Sequence, residues 1–243
     1  MRNELREYEN QAVKRTLQST YSPQAIREAR ARQDAILVER FKGLPLAIAD
    51  MGCGDGYHGA IFAPSCRVYH GFEISPAIAE LARERWRREK LQNVELYVGD
   101  VADAGLQEAF YDLVFCLYFT AGNIRDPSED LGFYTDAYLD QNPRFTGVIS
   151  KFYRAMKPGG SLFLTVYKDV PEAEAAQRDF YEGTGQHVVT PRGLRFVATA
   201  EHFWSVRWTE RSMLSNLHAC GIRNQQVTFH DLNDLAWLVE IEK

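Results

Sequence analysis

The chain has 243 residues, 45% of them apolar and 25% charged, enough for one large domain that buries about 70–75% of its unfolded surface and too mixed to be a low-complexity segment. Its formal charge of −5 is uneven, with residues 1–45 at +3 and the remainder at −8, and an acidic body argues against a nucleic-acid partner. No apolar run reaches the ~18 residues that cross a bilayer, Met1-Arg2-Asn3-Glu4 opens a charged helix rather than a leader, and Cys53, Cys66, Cys116 and Cys220 lack metal spacing, so the pattern predicts a cytoplasmic protein with reduced thiols, no membrane contact and no metal.

Two helices are expected before the first strand, forming a lid over residues 1–45 that presents Tyr8 and Tyr21. The second of them has Ser22 as its cap and Pro23 at its first position. Strands and helices then alternate: strand 46–50, helix from about 57, strand 67–72, helix 76–90 capped at Ser75-Pro76, strand 94–98, short helix 105–110 and strand 112–118. The run Asp112-Leu113-Val114-Phe115-Cys116-Leu117-Tyr118 is nearly all apolar, as a central strand covered on both faces must be. A loop over 119–128, a helical stretch, a break at Asn142-Pro143, helix 144–156 and strand 161–167 complete a core over 46–167. Residues 168–208 read as an antiparallel insert with β-type runs around Thr190-Pro191-Arg192-Gly193. Helix 210–219, with Thr209 as cap and Gly221 as stop, precedes strands near 225–230 and 236–242. Alternating βα units of this length give an α/β fold with a parallel sheet between two helical layers.

The most informative stretch is Leu46-Ala47-Ile48-Ala49-Asp50-Met51-Gly52-Cys53-Gly54-Asp55-Gly56, an apolar strand running into an acid and three alternating glycines. Without Cβ atoms the turn from strand to helix can take unusual dihedrals and admit a ligand to van der Waals contact. An acid ahead of the glycines repels a pyrophosphate and suits an amine-bearing ligand. Gly54-Asp55-Gly56-Tyr57-His58-Gly59 also satisfies the dinucleotide pattern G-x-G-x-x-G, and Glu73, at the end of the second strand, could accept ribose hydroxyls in either kind of cofactor site. Gly99-Asp100-Val101 after the third strand, and Lys157-Pro158-Gly159-Gly160 before the fifth, separate the two. Together these four segments resemble the class I S-adenosylmethionine-dependent methyltransferases of small-molecule type.

That resemblance implies a Rossmann-like seven-stranded sheet, mostly parallel with an antiparallel last strand, and S-adenosyl-L-methionine as cofactor. It implies that Gly52, Gly54, Glu73 and Asp100 bind the cofactor, with Asp50 at its methionine amino end and Ile74, Val101 and Cys116 beside them. Methyl acceptors in this fold lie beyond the carboxyl ends of strands four and five. Tyr118-Phe119-Thr120-Ala121-Gly122-Asn123 stands there, departing wholly from the Asn/Asp-Pro-Pro-aromatic tetrad of nucleobase and glutamine methyltransferases. Its Thr120-Ala121-Gly122-Asn123 faintly resembles the T-x-G-N segment of histidine α-N-methyltransferases. Candidate catalytic residues are therefore Tyr118, Asn123 and His202, the last as a general base, and candidate substrate contacts are Tyr21, Phe119, Asn123, Tyr167, Trp204 and Arg207. His58 is expected on the helix surface beside the elbow. The expected partner is a small-molecule acceptor methylated at an amine nitrogen; an NAD-dependent oxidoreductase and a non-catalytic cofactor-binding subunit are the alternatives.

Overall fold

In the computed structural model, residues 22–125 and 129–243 are described; Tyr8 and Tyr21 lie outside them. Helix α1 (Gln24–Phe41) leads into β1 (Ala47–Met51), α2 (Tyr57–Phe62), β2 (Val68–Glu73), α3 (Pro76–Arg88), β3 (Val94–Val98) and β4 (Tyr111–Cys116). After two short 3-10 turns come α4 (Asp136–Leu139), α5 (Pro143–Ala155), β5 (Met156–Lys168), α6 (Pro171–Gly183), β6 (Phe196–Ala198), β7 (Trp204–Trp208), α7 (Glu210–Ala219), β8 (Val227–Asn233) and β9 (Ala236–Glu242).

The main sheet runs β3-β2-β1-β4-β5 in parallel, and β9 pairs antiparallel between β5 and β8, giving the seven expected strands. Two more strands are appended. β4 stops pairing at Cys116 opposite Leu164, while β5 continues, and beyond that point Tyr167 and Lys168 pair with Arg207 and Trp208 of β7. The β6–β7 hairpin thus hangs over the carboxyl end of β4.

Alternation in the buried strands feeds two apolar layers. Ala47, Ala49 and Met51 of β1 pack on the side of α5 and α7, with Phe145, Val148, Ile149 and Phe152 at helical spacing on α5. Ile48 and Phe115 face the other side, against Ile26 and Leu37 of α1, Phe62 of α2 and Trp86 of α3. Caps fix the helix starts: Ser75 Oγ accepts from Ile78 N, Asn142 Oδ1 accepts from Arg144 N and Phe145 N, and Thr209 with Ser212 forms a capping box. At the amino end of the sheet Asp112 accepts from Ala47 N at 2.7 Å and from Lys157 Nζ at 2.6 Å, tying β1, β4 and β5 together.

Four expectations differ from the structure. Residues 105–110 are not helical; Ala109 has φ 50° and its N–H bonds instead to Arg154 O. β5 starts at Met156, so the Lys157-Pro158-Gly159-Gly160 turn lies inside a long, irregular strand rather than ahead of it. The insert is not purely antiparallel, since α6 occupies residues 171–183, an amphipathic run that the neighbouring β-type pattern obscured. Pro23, not Ser22, occupies the cap position of α1, and Ser22 is buried.

Candidate active site

The carboxyl ends of β1, β2, β4 and β5 open into one cavity of about 850 Å³. On its first side lies the elbow. Gly52 N and Cys53 N donate to Phe72 O at 2.7 and 3.0 Å, which folds the chain back over β2. Gly54 follows with φ +56°, and a Cβ placed on it would meet nothing within 4 Å, so this one glycine leaves open space at the cavity wall. The neighbouring glycines answer to packing: a Cβ on Gly52 would strike Thr120, and one on Gly56 or Gly59 would strike the Trp86 ring.

Glu73 braces this turn. Its carboxylate, almost wholly buried, accepts from Gly54 N at 3.1 Å and Ser75 N at 2.9 Å. Asp50 is 1% exposed and accepts from the Tyr69 hydroxyl at 2.5 Å. Burial raises its pKa above the usual aspartate value, against the opposing pull of His58 and of that hydroxyl. Asp100 completes the set, with one oxygen accepting from Ala102 N at 2.8 Å and the other paired with the Arg144 guanidinium from the first turn of α5. Ile74, Val101 and Cys116 also line the cavity, and burial pushes the Cys116 thiol well above its usual range, leaving an inert apolar surface. These groups suit S-adenosylmethionine: a buried acid for an ammonium, an acid at the end of β2 for a diol, and a further acid beside an apolar slot for a base.

The opposite side is aromatic. Tyr118 and Phe119 follow β4 with φ of 52° and 68°, two consecutive non-glycine residues in the left-handed region, a strained conformation that gathers at functional sites. Phe119 stacks face to face on Tyr167 at 3.8 Å, and a Cβ on Gly122 would come within 3.0 Å of the Val206 backbone, so this loop is pressed between β5 and β7. Asn123, half-buried, and Trp204 line the cavity, the indole ring packed on Tyr134 at 4.4 Å and Phe196 at 4.8 Å. His202 lines it too, from a turn where its own φ is 66°.

Arg207 does not line the cavity. It is buried among Asp169, Glu174 and Gln177 and donates to Leu194 O, so its charge is consumed in holding α6, β6 and β7 together. Position along the strand explains the difference: Arg207 shares a face of β7 with Ser205, and Gln177 bonds to both, but it lies one pair further on, among Asp169 and Glu174. His58 is buried rather than on the helix surface, with Nε2 3.0 Å from Asp34 Oδ1. Tyr118 donates its hydroxyl to the same Asp34 at 2.5 Å, and burial, then the Asp34 charge, push the phenol far above its usual range. Tyr21 lies outside the described residues.

The sequence pattern marked neither Arg30, Arg144, Gln177, Phe180 nor Tyr181, which also line the cavity. Ile78 of α3 packs with Tyr181, Val197 and Phe203, so the insert closes onto the elbow side. Among the described residues no group of three or more His, Cys, Asp and Glu could hold a metal, and no helix is long and apolar enough to cross a membrane.

A family model described as a methyltransferase domain matches residues 45–208, more than half of the chain. Over 121 residues the chain is 33% identical to a dTDP-4-amino-2,3,4,6-tetradeoxy-D-glucose N,N-dimethyltransferase of Saccharopolyspora spinosa, covering 44% of this chain and 46% of that protein. The chain spans less than half the length of the curated relatives it matches. Among solved structures, 1,6-didemethyltoxoflavin-N1-methyltransferase of Burkholderia thailandensis, with 1,6-didemethyltoxoflavin and S-adenosylhomocysteine bound, superposes with a TM-score of 0.55 at 15% identity, covering 96% of this chain and 87% of the other. An amino pentose methyltransferase from Micromonospora echinaspora with bound S-adenosylmethionine does so with a TM-score of 0.54 at 18% identity, covering 91% and 92%. At these identities the likeness is one of fold.

Proposed function

The chain belongs to the methyltransferase-domain family, and from that premise we propose that it moves the methyl group of S-adenosylmethionine to an amine nitrogen of a small molecule. The observation that carries this reading is the cavity at the end of β4, where the acidic glycine elbow meets an aromatic wall bearing Asn123. S-adenosylmethionine brings a methyl group on a sulfonium, already activated by its leaving group. The protein's task is then to align a lone pair behind that methyl and keep water out. Glu73 is suited to the ribose hydroxyls, Asp50 to the amino end, and Asp100 with Val101 to the adenine. Phe119, Tyr167 and Trp204 supply flat surfaces that enclose a small acceptor, and Asn123 offers an amide that can orient it.

Nitrogen is supported by the name of one curated relative, an amino-sugar N,N-dimethyltransferase, and by those of two structural neighbours, an N1-methyltransferase and an amino pentose methyltransferase, against two curated relatives named as protein-L-isoaspartate O-methyltransferases. Calorimetry is expected to give micromolar binding of S-adenosylhomocysteine and none of NAD. Transfer of label from methyl-labelled S-adenosylmethionine to a panel of amino sugars and amino acids, with matched alcohols as controls, is expected to mark amines alone. Labelled alcohols with unlabelled amines would move the reading to oxygen, and binding of NAD without the homocysteine would end it.

A further inference from the structure

We propose that His58, oriented by Asp34, is the general base that takes the proton from the acceptor amine; this rests on the amine reading above. His58 stands where the two halves of the cavity meet. It follows the glycine elbow by two residues, and its ring touches Tyr118 of the acceptor loop edge-on at 4.8 Å. Its Nε2 lies 3.0 Å from Asp34 Oδ1, and an ionised carboxylate there holds the proton on Nε2 and leaves the Nδ1 lone pair free.

An acceptor that arrives protonated requires such a group. An aliphatic amine arrives largely as an ammonium, which has no lone pair to give. Yet among the described residues of the acceptor wall, from Tyr118 to Arg125 and from His202 to Ser205, none is a carboxylate. His202 has no carboxylate partner there among the described residues, whereas His58 has one. In the step itself an N–H bond of the ammonium breaks and its proton passes to Nδ1. The freed nitrogen lone pair forms the new N–C bond as the C–S bond breaks, and that electron pair stays on the sulfur as a neutral thioether. Asp34 then faces an imidazolium.

Several elements bring groups against His58. Asp34 and Arg30 come from α1, Arg30 lying 4.8 Å over the Tyr118 ring. Tyr57 and Tyr118 pack their rings against the imidazole at 5.2 and 4.8 Å, and the buried Asp50 acts on it from β1. Asp34 is a positioning residue, since it accepts from both His58 and the Tyr118 hydroxyl without lining the cavity itself.

The test pairs His58→Gln, whose amide can keep the bond to Asp34, with Asp34→Asn. His58→Gln is expected to lower kcat at pH 7 by about 10²-fold or more, with activity returning as the pH approaches the amine's own pKa while the variant still binds S-adenosylhomocysteine. Asp34→Asn is expected to lower kcat while KM stays as in the parent, and Asp34→Glu to restore part of the loss. A parent-like pH profile in His58→Gln would overturn the assignment of the base. A parent that binds S-adenosylhomocysteine but methylates no amine would overturn the reading beneath it instead.

Discussion

The indole N–H of Trp86 donates to the carbonyl oxygen of Gly56 at 2.8 Å, and the same ring fills the space that a side chain would need at Gly56, Gly59 and Gly71. One side chain on α3 therefore sets the height of the elbow over β2. It is also why three glycines in this region are glycines, independently of any ligand.

Trp86→Ala is accordingly expected to cost about 3–5 kcal/mol of stability, as truncation of a fully packed tryptophan does. The shift in denaturant midpoint measures it. Gly59→Ala, whose Cβ would sit 2.4 Å from Trp86 Nε1, should destabilise and weaken S-adenosylhomocysteine binding together, because the ring must move and the elbow with it.

Glu73 has two duties, bracing Gly54 N and Ser75 N and facing the cavity. Hydrogen bonds to a charged group contribute about 1.5–3 kcal/mol each, so Glu73→Ala is expected to weaken S-adenosylhomocysteine at least about tenfold by calorimetry. Glu73→Gln retains one acceptor and should fall between the two.

Acidification should weaken the cofactor through Asp50. Burial raises its pKa, so it loses its charge at a higher pH than an ordinary aspartate when the pH falls, and with that charge goes the attraction for an ammonium. S-adenosylhomocysteine affinity is expected to drop on the acid side in the parent and to be weak and flat there in Asp50→Asn. Tyr69→Phe removes a bond that favours the ionised form, so it should move the drop to higher pH.

The cluster around Arg207 predicts an acid limit of stability. Burial disfavours ionisation of Glu174, yet the Gly193 N–H, Arg178 and Arg207 outweigh it and hold the carboxyl below the usual range. The folded chain thus binds this proton more weakly than the unfolded chain does. Its contribution is complete above the ordinary glutamate value of about 4.3 and is lost as the pH falls through the lower folded value. Glu174→Gln should flatten that limb in thermal melts. Arg207→Leu leaves Asp169 and Glu174 short of a partner and is expected to cost about 3–5 kcal/mol, with S-adenosylhomocysteine affinity unchanged.

The elements that could be read in advance are those in which local signals agree. Ser75-Pro76 and Asn142-Pro143 announce helices, continuous apolar runs announce buried strands, and the acid with its glycines announces the turn. What stayed hidden depends on contacts remote in sequence. Asp34 sits on an unremarkable helical stretch and matters because His58 and Tyr118 converge on it from 24 and 84 residues away. Arg144 reads as an ordinary first-turn residue until Asp100 is placed beside it, 44 positions back in the chain. Arg207 erred in the other direction, since a cation in a β-type run gives no sign of which acids, here Asp169 and Glu174, will close around it.

The overhang of β5 beyond β4 decides which wall of the cavity is rigid. On the aromatic side the wall is part of the sheet: Tyr167 and Lys168 pair with β7, and Asp169 N bonds to Trp208 O at 2.8 Å. Opening there means breaking strand pairs. On the side of α1, every hydrogen bond to the sheet among the described residues involves a side chain, as with Arg32 on Leu232 O, Arg40 on Glu240 and Asn233 on Ala25 O. The aromatic wall is thus fixed to the sheet by strand pairing, whereas α1 is held there by side chains, the buried Ile26 and Leu37 among them.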